Sequence, residues 1–253
     1  MSSVPLGTRP LRALSADVMA AEQPRREILA RGPWSPDQVR VSWREQPYPV
    51  AAAPAAAADS ALAALRERGS PSHDGLVARL AGWELDEDGL RLELEPVRWA
   101  LRLVEGGAES SVSAMCIVRD SEGRWLAGRR AMWVATWQGK WTLGAAGAVE
   151  LGENPALTLT RELEEEWSVT PARMQVEGLV RASDGHIFIV GQAWLAAGAV
   201  VTVDPEHDAY EWWPRDPSGW PPYAEPELLA MAALLELSAE LKPAADAGRQ
   251  GDQ

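Results

Sequence analysis

The sequence predicts an α/β protein with an N-terminal extension that contains a β-hairpin, and three patterns carry the prediction. The run LRLELEP at 90–96 alternates apolar and charged residues, the period-two signature of a half-buried strand. Together with 76–85 it flanks the turn Asp86-Glu87-Asp88-Gly89, which makes a hairpin. Within 155–167, Ala156, Leu159, Leu163 and Trp167 recur at spacings of three and four, the apolar stripe of a helix that packs on a sheet. Near the end, 225–241 places Leu228, Leu229, Met231, Ala232, Leu235 and Leu241 at helical spacing. A second helix lying on a sheet is expected there.

The remaining elements follow in chain order. Residues 1–30 mix Pro, Arg and Ala, with weak helical potential around 13–21. Residues 47–58 contain AAAPAAAA; prolines interrupt a helix and alanines offer little to pack, so this stretch reads as a linker or loose loop. A short helix over 60–68 is expected after it. Strands are expected at 112–118 and 124–130, around the turn Asp120-Ser121-Glu122-Gly123, and at 175–181, 186–195 and 211–213. The expected organisation is an extension with its Ala/Pro-rich linker over 1–75, a β-hairpin extension over 76–109, a main domain over 110–242 and a disordered tail over 243–253.

Composition narrows the function. With 37 acidic against 24 basic side chains and a formal charge of -13, the chain is ill suited to a broad electrostatic grip on nucleic acid. A small anionic ligand remains open, because a bound divalent cation reverses the local field. The single cysteine, Cys116, cannot close an internal disulfide or build a thiolate zinc cage. It lies in a strand-like apolar run and is expected as a buried thiol. No apolar run approaches the roughly 20 residues of a membrane span, and no apolar stretch follows Arg9 and Arg12. A cytoplasmic protein is expected.

The chemistry is concentrated between Gly147 and Val169. Asn154 is placed to cap a helix whose first residue is Pro155. On that helix Glu162, Glu165 and Glu166 lie three and four apart and gather on a face distinct from the apolar stripe. Like charges at such spacings cost roughly 0.2–0.5 kcal/mol per pair. A hard divalent cation would offset that repulsion, since Mg²⁺ takes carboxylate oxygens together with substrate phosphates. A solvated acidic face is the plainer reading of a glutamate run taken alone.

The spacing decides between them. The segment resembles the Nudix box, G-x5-E-x7-R-E-U-x-E-E-x-G-U with U a bulky aliphatic residue, matched by Gly147, Glu153, Arg161, Glu162, Leu163, Glu165, Glu166 and Val169. The resemblance covers about 110–242 and implies a Nudix-type α/β/α sandwich around a mixed β-sheet, with the box as loop, helix and loop. It further implies Mg²⁺ or Mn²⁺ held by Glu162, Glu165, Glu166 and the Gly147 carbonyl, with Arg161 pairing Glu153 to fix the loop onto the helix. Two positions depart from the pattern: Ser168 stands where the family has glycine, and Ala146 replaces the first residue of a frequent Gly-Gly pair. Neither removes a ligand, so an active enzyme is expected.

The resemblance also marks residues outside the box. Arg129 and Arg130 end the strand before it, where such proteins often touch the substrate, and an arginine fork suits phosphate oxygens. Trp133, Trp137 and Trp141 lie near that entrance, with stacking on a base as one role and core packing as the other. Glu206, six residues before Trp212, resembles a loop acid that binds metal or acts as general base in some members. His73, His186 and His207 show no metal-ligand spacing and are expected as ordinary polar residues. The implied activity is hydrolysis of a diphosphate linkage in a nucleoside diphosphate derivative: a nucleotide sugar, ADP-ribose, a dinucleotide or a noncanonical triphosphate. The expected partner is that small molecule, not nucleic acid or membrane, and a homodimer is allowed. The alternatives are a non-catalytic nucleotide sensor and an isopentenyl-diphosphate isomerase-like enzyme. The isomerase is suggested by Gly139-Lys140-Trp141-Thr142 but lacks its cysteine and histidine, since Leu143-Gly144-Ala145-Ala146-Gly147 stands there instead.

Overall fold

A computed structural model of the chain describes residues 26–70, 74–104 and 109–240. The weak helical potential at 13–21, His73 and the tail at 243–253 lie outside these residues. In chain order the extension forms strands β1 (Glu27–Trp34) and β2 (Val39–Trp43), helix α1 (Ala52–Glu67) and strands β3 (Leu76–Asp86) and β4 (Gly89–Arg98). The main domain follows with β5 (Val112–Arg119), β6 (Trp125–Arg130), β7 (Trp141–Leu143), β8 (Ala145–Ala148), α2 (Pro155–Trp167), β9 (Arg173–Arg181), β10 (Ile187–Trp194), β11 (His207–Trp213) and α3 (Pro226–Glu240).

Eight strands make one mixed sheet. Its main path runs β1-β9-β10-β5-β6-β11, with β8 paired to β5 and β7 to β6. Only β5 and β10 are parallel within it. Alternation along the strands feeds two cores. Val112, Ala114, Cys116 and Val118 of β5 point to the side covered by Leu159, Leu163 and Trp167 of α2. Ile117 points to the opposite side, where Leu228, Ala232 and Leu235 of α3 pack. The result is the expected α/β/α sandwich, and Cys116 is fully buried in it.

β5 and β6 share a single register pair, Arg119 with Trp125, and then part. Strands β8 and β7 pair with them where they diverge. Gly144 joins those two short strands at φ +59, and a Cβ there would strike the Cys116 carbonyl, so no other residue fits this turn. The Gly144 carbonyl accepts from the Trp167 indole at 3.0 Å, which anchors the end of α2 to the split.

The predicted hairpin is present as β3 and β4, paired antiparallel, and β2 adds to β4 in parallel. This three-stranded sheet contributes Leu90, Leu92 and Leu94 to the α2 core. The linker reading of 47–58 is corrected: Ala52–Glu67 is a continuous helix. Pro54 falls in its first turn, where its missing N–H is no loss, and alanine is the best helix former. Ala58, Leu62 and Leu65 supply the buried face, with Ala58 and Leu62 packing against Val97, Ala100 and Leu101. The sequence reading also missed β1 and β2, and β1 pairs with β9 in the main sheet.

Helix α2 begins and ends as its sequence dictates. Asn154 Oδ1 accepts from Ala156 N at 3.0 Å, Pro155 occupies the first position, and Ser168 closes the helix at φ 53, ψ 39. That left-handed conformation costs an L-residue about 1 kcal/mol or more relative to glycine, and the Ser168 side chain is exposed. Ser168→Gly is therefore expected to be neutral or to raise stability by up to about 1 kcal/mol, read as an unchanged or higher thermal midpoint. A clear loss would refute the strain assigned to this turn.

Candidate active site

The box helix presents its acids toward the sheet split. Glu162 and Glu166 are buried, at 7% and 5% relative exposure, whereas Glu165 turns outward. Arg161 sits among them. Its guanidinium contacts Glu153 Oε1 at 2.8 Å, Glu162 Oε1 at 2.8 Å and Glu165 Oε2 at 2.8 Å. It also donates to the Ala148 carbonyl at 3.1 Å, so one side chain ties the loop, the strand before it and the helix. Glu153 Oε2 further accepts from Thr158 Oγ1 at 2.9 Å and Glu150 N at 3.0 Å. Glu153 is thus committed to the loop and does not line the cavity beside the helix.

Gly147 lies on β8 directly against Glu162, and a Cβ at this position would overlap the carboxylate. Glu166 Oε1 accepts from Ala146 N at 3.3 Å. From the other side the loop before β11 closes in: Asp204 N donates to the Glu166 carbonyl at 3.0 Å and Ala131 N to the Glu206 carbonyl at 2.7 Å. The Glu206 carboxylate pairs with Arg130 at 2.8 Å.

These placements set the electrostatics. Burial pushes the Glu162 pKa up to about 7; Arg161 opposes the rise, while Glu165 and Glu206 add to it. Glu166 is raised well above the ordinary carboxylate range, first by burial and then by Glu162, with Arg130 opposing. Two buried acids held together with too little cationic charge mark a functional site more often than a stability device. Among the described residues no three His, Cys, Asp or Glu side chains stand ready-made as a metal-binding group.

A cavity of about 2220 Å³ opens beside these acids, lined by Gly147, Arg161, Glu162, Glu165, Glu166 and Glu206. Arg130 reaches it, but Arg129 does not; it pairs with Asp208 at 2.6 Å and is exposed. Consecutive strand residues face opposite sides, so of the two arginines expected at the substrate only Arg130 lines this cavity. Trp141 is likewise outside the cavity wall, stacked on Tyr223 at 5.6 Å and packed near Trp213. Trp133 and Trp137 line the cavity instead. His207 is buried against Trp167 at 4.8 Å, and burial lowers its pKa to about 4. Arg102 and His186 also line the cavity. Neither belongs to a motif, and His186 meets Arg102 only because β10 and the turn after β4 converge.

Residues 109–233 match the family model described as the NUDIX domain. This segment is a Nudix domain. Solved structures similar to it include the MutT protein from Methanosarcina mazei Go1, 24% identical over 51% of this chain and 93% of that one, TM-score 0.38. The Nudix domain of Shewanella oneidensis NrtR complexed with ADP ribose is 18% identical over 50% and 88%, TM-score 0.40. A C. elegans Ap4A hydrolase is 16% identical over 51% and 98%, TM-score 0.41. No curated protein matches the chain.

In this Nudix domain the position of Glu162 depends on the absence of a side chain at Gly147. Gly147→Ala is expected to leave the fold intact, displace the Glu162 carboxylate and lower turnover by about 10²-fold, the usual cost of a misplacement near 1 Å. Circular dichroism with steady-state kinetics checks both halves; full activity would show that Glu162 needs no such fit.

Proposed function

We propose that this Nudix protein hydrolyses the diphosphate linkage of a nucleoside diphosphate joined to another moiety, with a divalent cation as cofactor. The observation that carries the reading is the burial of Glu162 and Glu166 side by side, both with raised pKa, inside the segment that matches the family. The donor set fits a hard cation: carboxylate oxygens cradled on a bare glycine, with too little positive charge to balance them. Glu162, Glu165, Glu166, the Gly147 carbonyl and Glu206 are the residues assigned to hold Mg²⁺ or Mn²⁺. When bound, such a cation polarises phosphoryl oxygens and makes water acidic.

The chain's own residues do the rest. Arg161 fixes Glu153 and Ala148 to the helix, so the acids keep their spacing while substrate comes and goes. Arg130 holds Glu206 at the rim, where a carboxylate can take a proton from attacking water, directly or through a second water. Water adds to one phosphorus, the bridging P–O bond breaks, and two phosphate-bearing products leave. Trp133 and Trp137 on the cavity wall offer flat apolar faces to a base. The retained acid set argues against a sensor without turnover.

A panel of nucleotide sugars, ADP-ribose, dinucleotides and triphosphates, assayed with Mg²⁺ and Mn²⁺ and read by mass spectrometry in ¹⁸O-water, identifies the substrate and the attacked phosphorus. Glu166→Gln is expected to lower the rate by about 10²- to 10⁴-fold and to cancel any rise in thermal midpoint on adding Mn²⁺. Wild-type turnover in EDTA would overturn the metal assignment. On the same substrate Glu206→Gln is expected to reduce kcat sharply while Glu211→Gln leaves it unchanged. Glu211 is held by Tyr223 and Trp213 instead, at 2.8 and 2.9 Å. The reverse ranking would remove Glu206 from the reaction.

A further inference from the structure

One wall of the cavity is built by residues that the Nudix box does not include. Arg102 lies in the 3-10 turn Trp99–Leu103, between the hairpin and the Nudix domain. Its Nη2 stands 3.4 Å from His186 Nε2, and His186 Nδ1 stands 3.4 Å from Ser111 Oγ. A guanidinium has donors only, so Nε2 accepts and the imidazole carries its single proton on Nδ1, toward the serine. Burial first, and then Arg102, pushes the His186 pKa down to about 3, so the ring is neutral.

That neutrality leaves the arginine's charge uncancelled. Burial lowers the Arg102 pKa to about 10, which still leaves it cationic at neutral pH. Among the described residues its one polar contact is His186; Asp184 and Glu162 act on it only through space. A partly buried guanidinium with a single polar contact among the described residues is a poor structural element and a good anion receptor. It lines the same cavity as Glu162 and Glu166 and lies near enough to Glu162 to feel its charge. An anion seated on Arg102 therefore shares one cavity with the acids assigned to the cation, as a phosphoryl group of a bound diphosphate would.

We propose that Arg102 binds a phosphate of the substrate, so that the N-terminal extension supplies part of the substrate site. The inference rests on the hydrolase reading only for the identity of the anion.

The test is calorimetric titration of the full-length chain with inorganic pyrophosphate in EDTA, where neither metal nor turnover contributes. Wild type is expected to bind, and Arg102→Met to bind about tenfold or more weakly, the usual effect of losing a charged hydrogen bond. Arg102→Gln keeps a donor for His186 and is expected to show the same loss, which guards against a folding defect in the first variant. Glu166→Gln should bind at least as tightly as wild type, because it removes a negative charge. Equal affinity in wild type and both Arg102 variants, or no binding by wild type, overturns the proposal. If no substrate in the panel is turned over while pyrophosphate binding still depends on Arg102, the hydrolase reading fails and this one stands.

Discussion

The site depends on one guanidinium keeping like charges close together. Arg161 touches three carboxylates and a main-chain carbonyl, and without it Glu162 and Glu165 would repel at helical spacing while the loop before α2 lost its tie. An exposed ion pair contributes little, but Arg161 is half-buried and its charge is shared among several acceptors, so it works as a fixed centre. Its pKa is raised: burial opposes the rise, but Glu153 and Glu162 more than offset it. The remaining excess of negative charge falls on Glu166, which has no arginine within ion-pair reach among the described residues and meets Arg130 only through space.

The extension is fastened to the same loop. The Trp43 indole donates to the Glu153 carbonyl at 3.1 Å, and the Asn154 amide donates to the Val39 carbonyl at 2.7 Å. Ala78 N and Leu151 N complete the seam with the Val149 and Leu76 carbonyls at 2.8 and 3.1 Å. Asn154 thus caps α2 with its oxygen and holds β2 with its nitrogen. The start of the box helix and the packing of the extension are therefore one structural unit.

What could be read from sequence was what is local. The box helix was legible because its cap, its apolar stripe and its acid spacing all lie within about twenty residues of one another, and the hairpin was legible from alternation around a turn. Helix α1 was hidden because Pro54 and a run of alanines look like a linker until one sees Leu62 buried against Val97 and Leu101. Strand β1 alternates poorly and contains Gly32-Pro33, so only its pairing with β9 defines it. Arg129 and Arg130 were indistinguishable until the pleat put them on opposite faces. Arg102 and His186 are 84 residues apart, and no spacing rule joins them.

The pairing of β1 with β9 bears on where this protein can be cut. The Nudix match begins at residue 109, yet Ile28, Ala30 and Trp34 register against Val180, Leu179 and Val176 of β9. A fragment starting at 109 would expose the free N–H and C=O groups of β9 beside a row of valine and leucine, a template for strand addition between molecules. The matched segment is thus shorter than the sheet it belongs to, and a fragment that keeps β9 paired along β1 includes Glu27–Trp34.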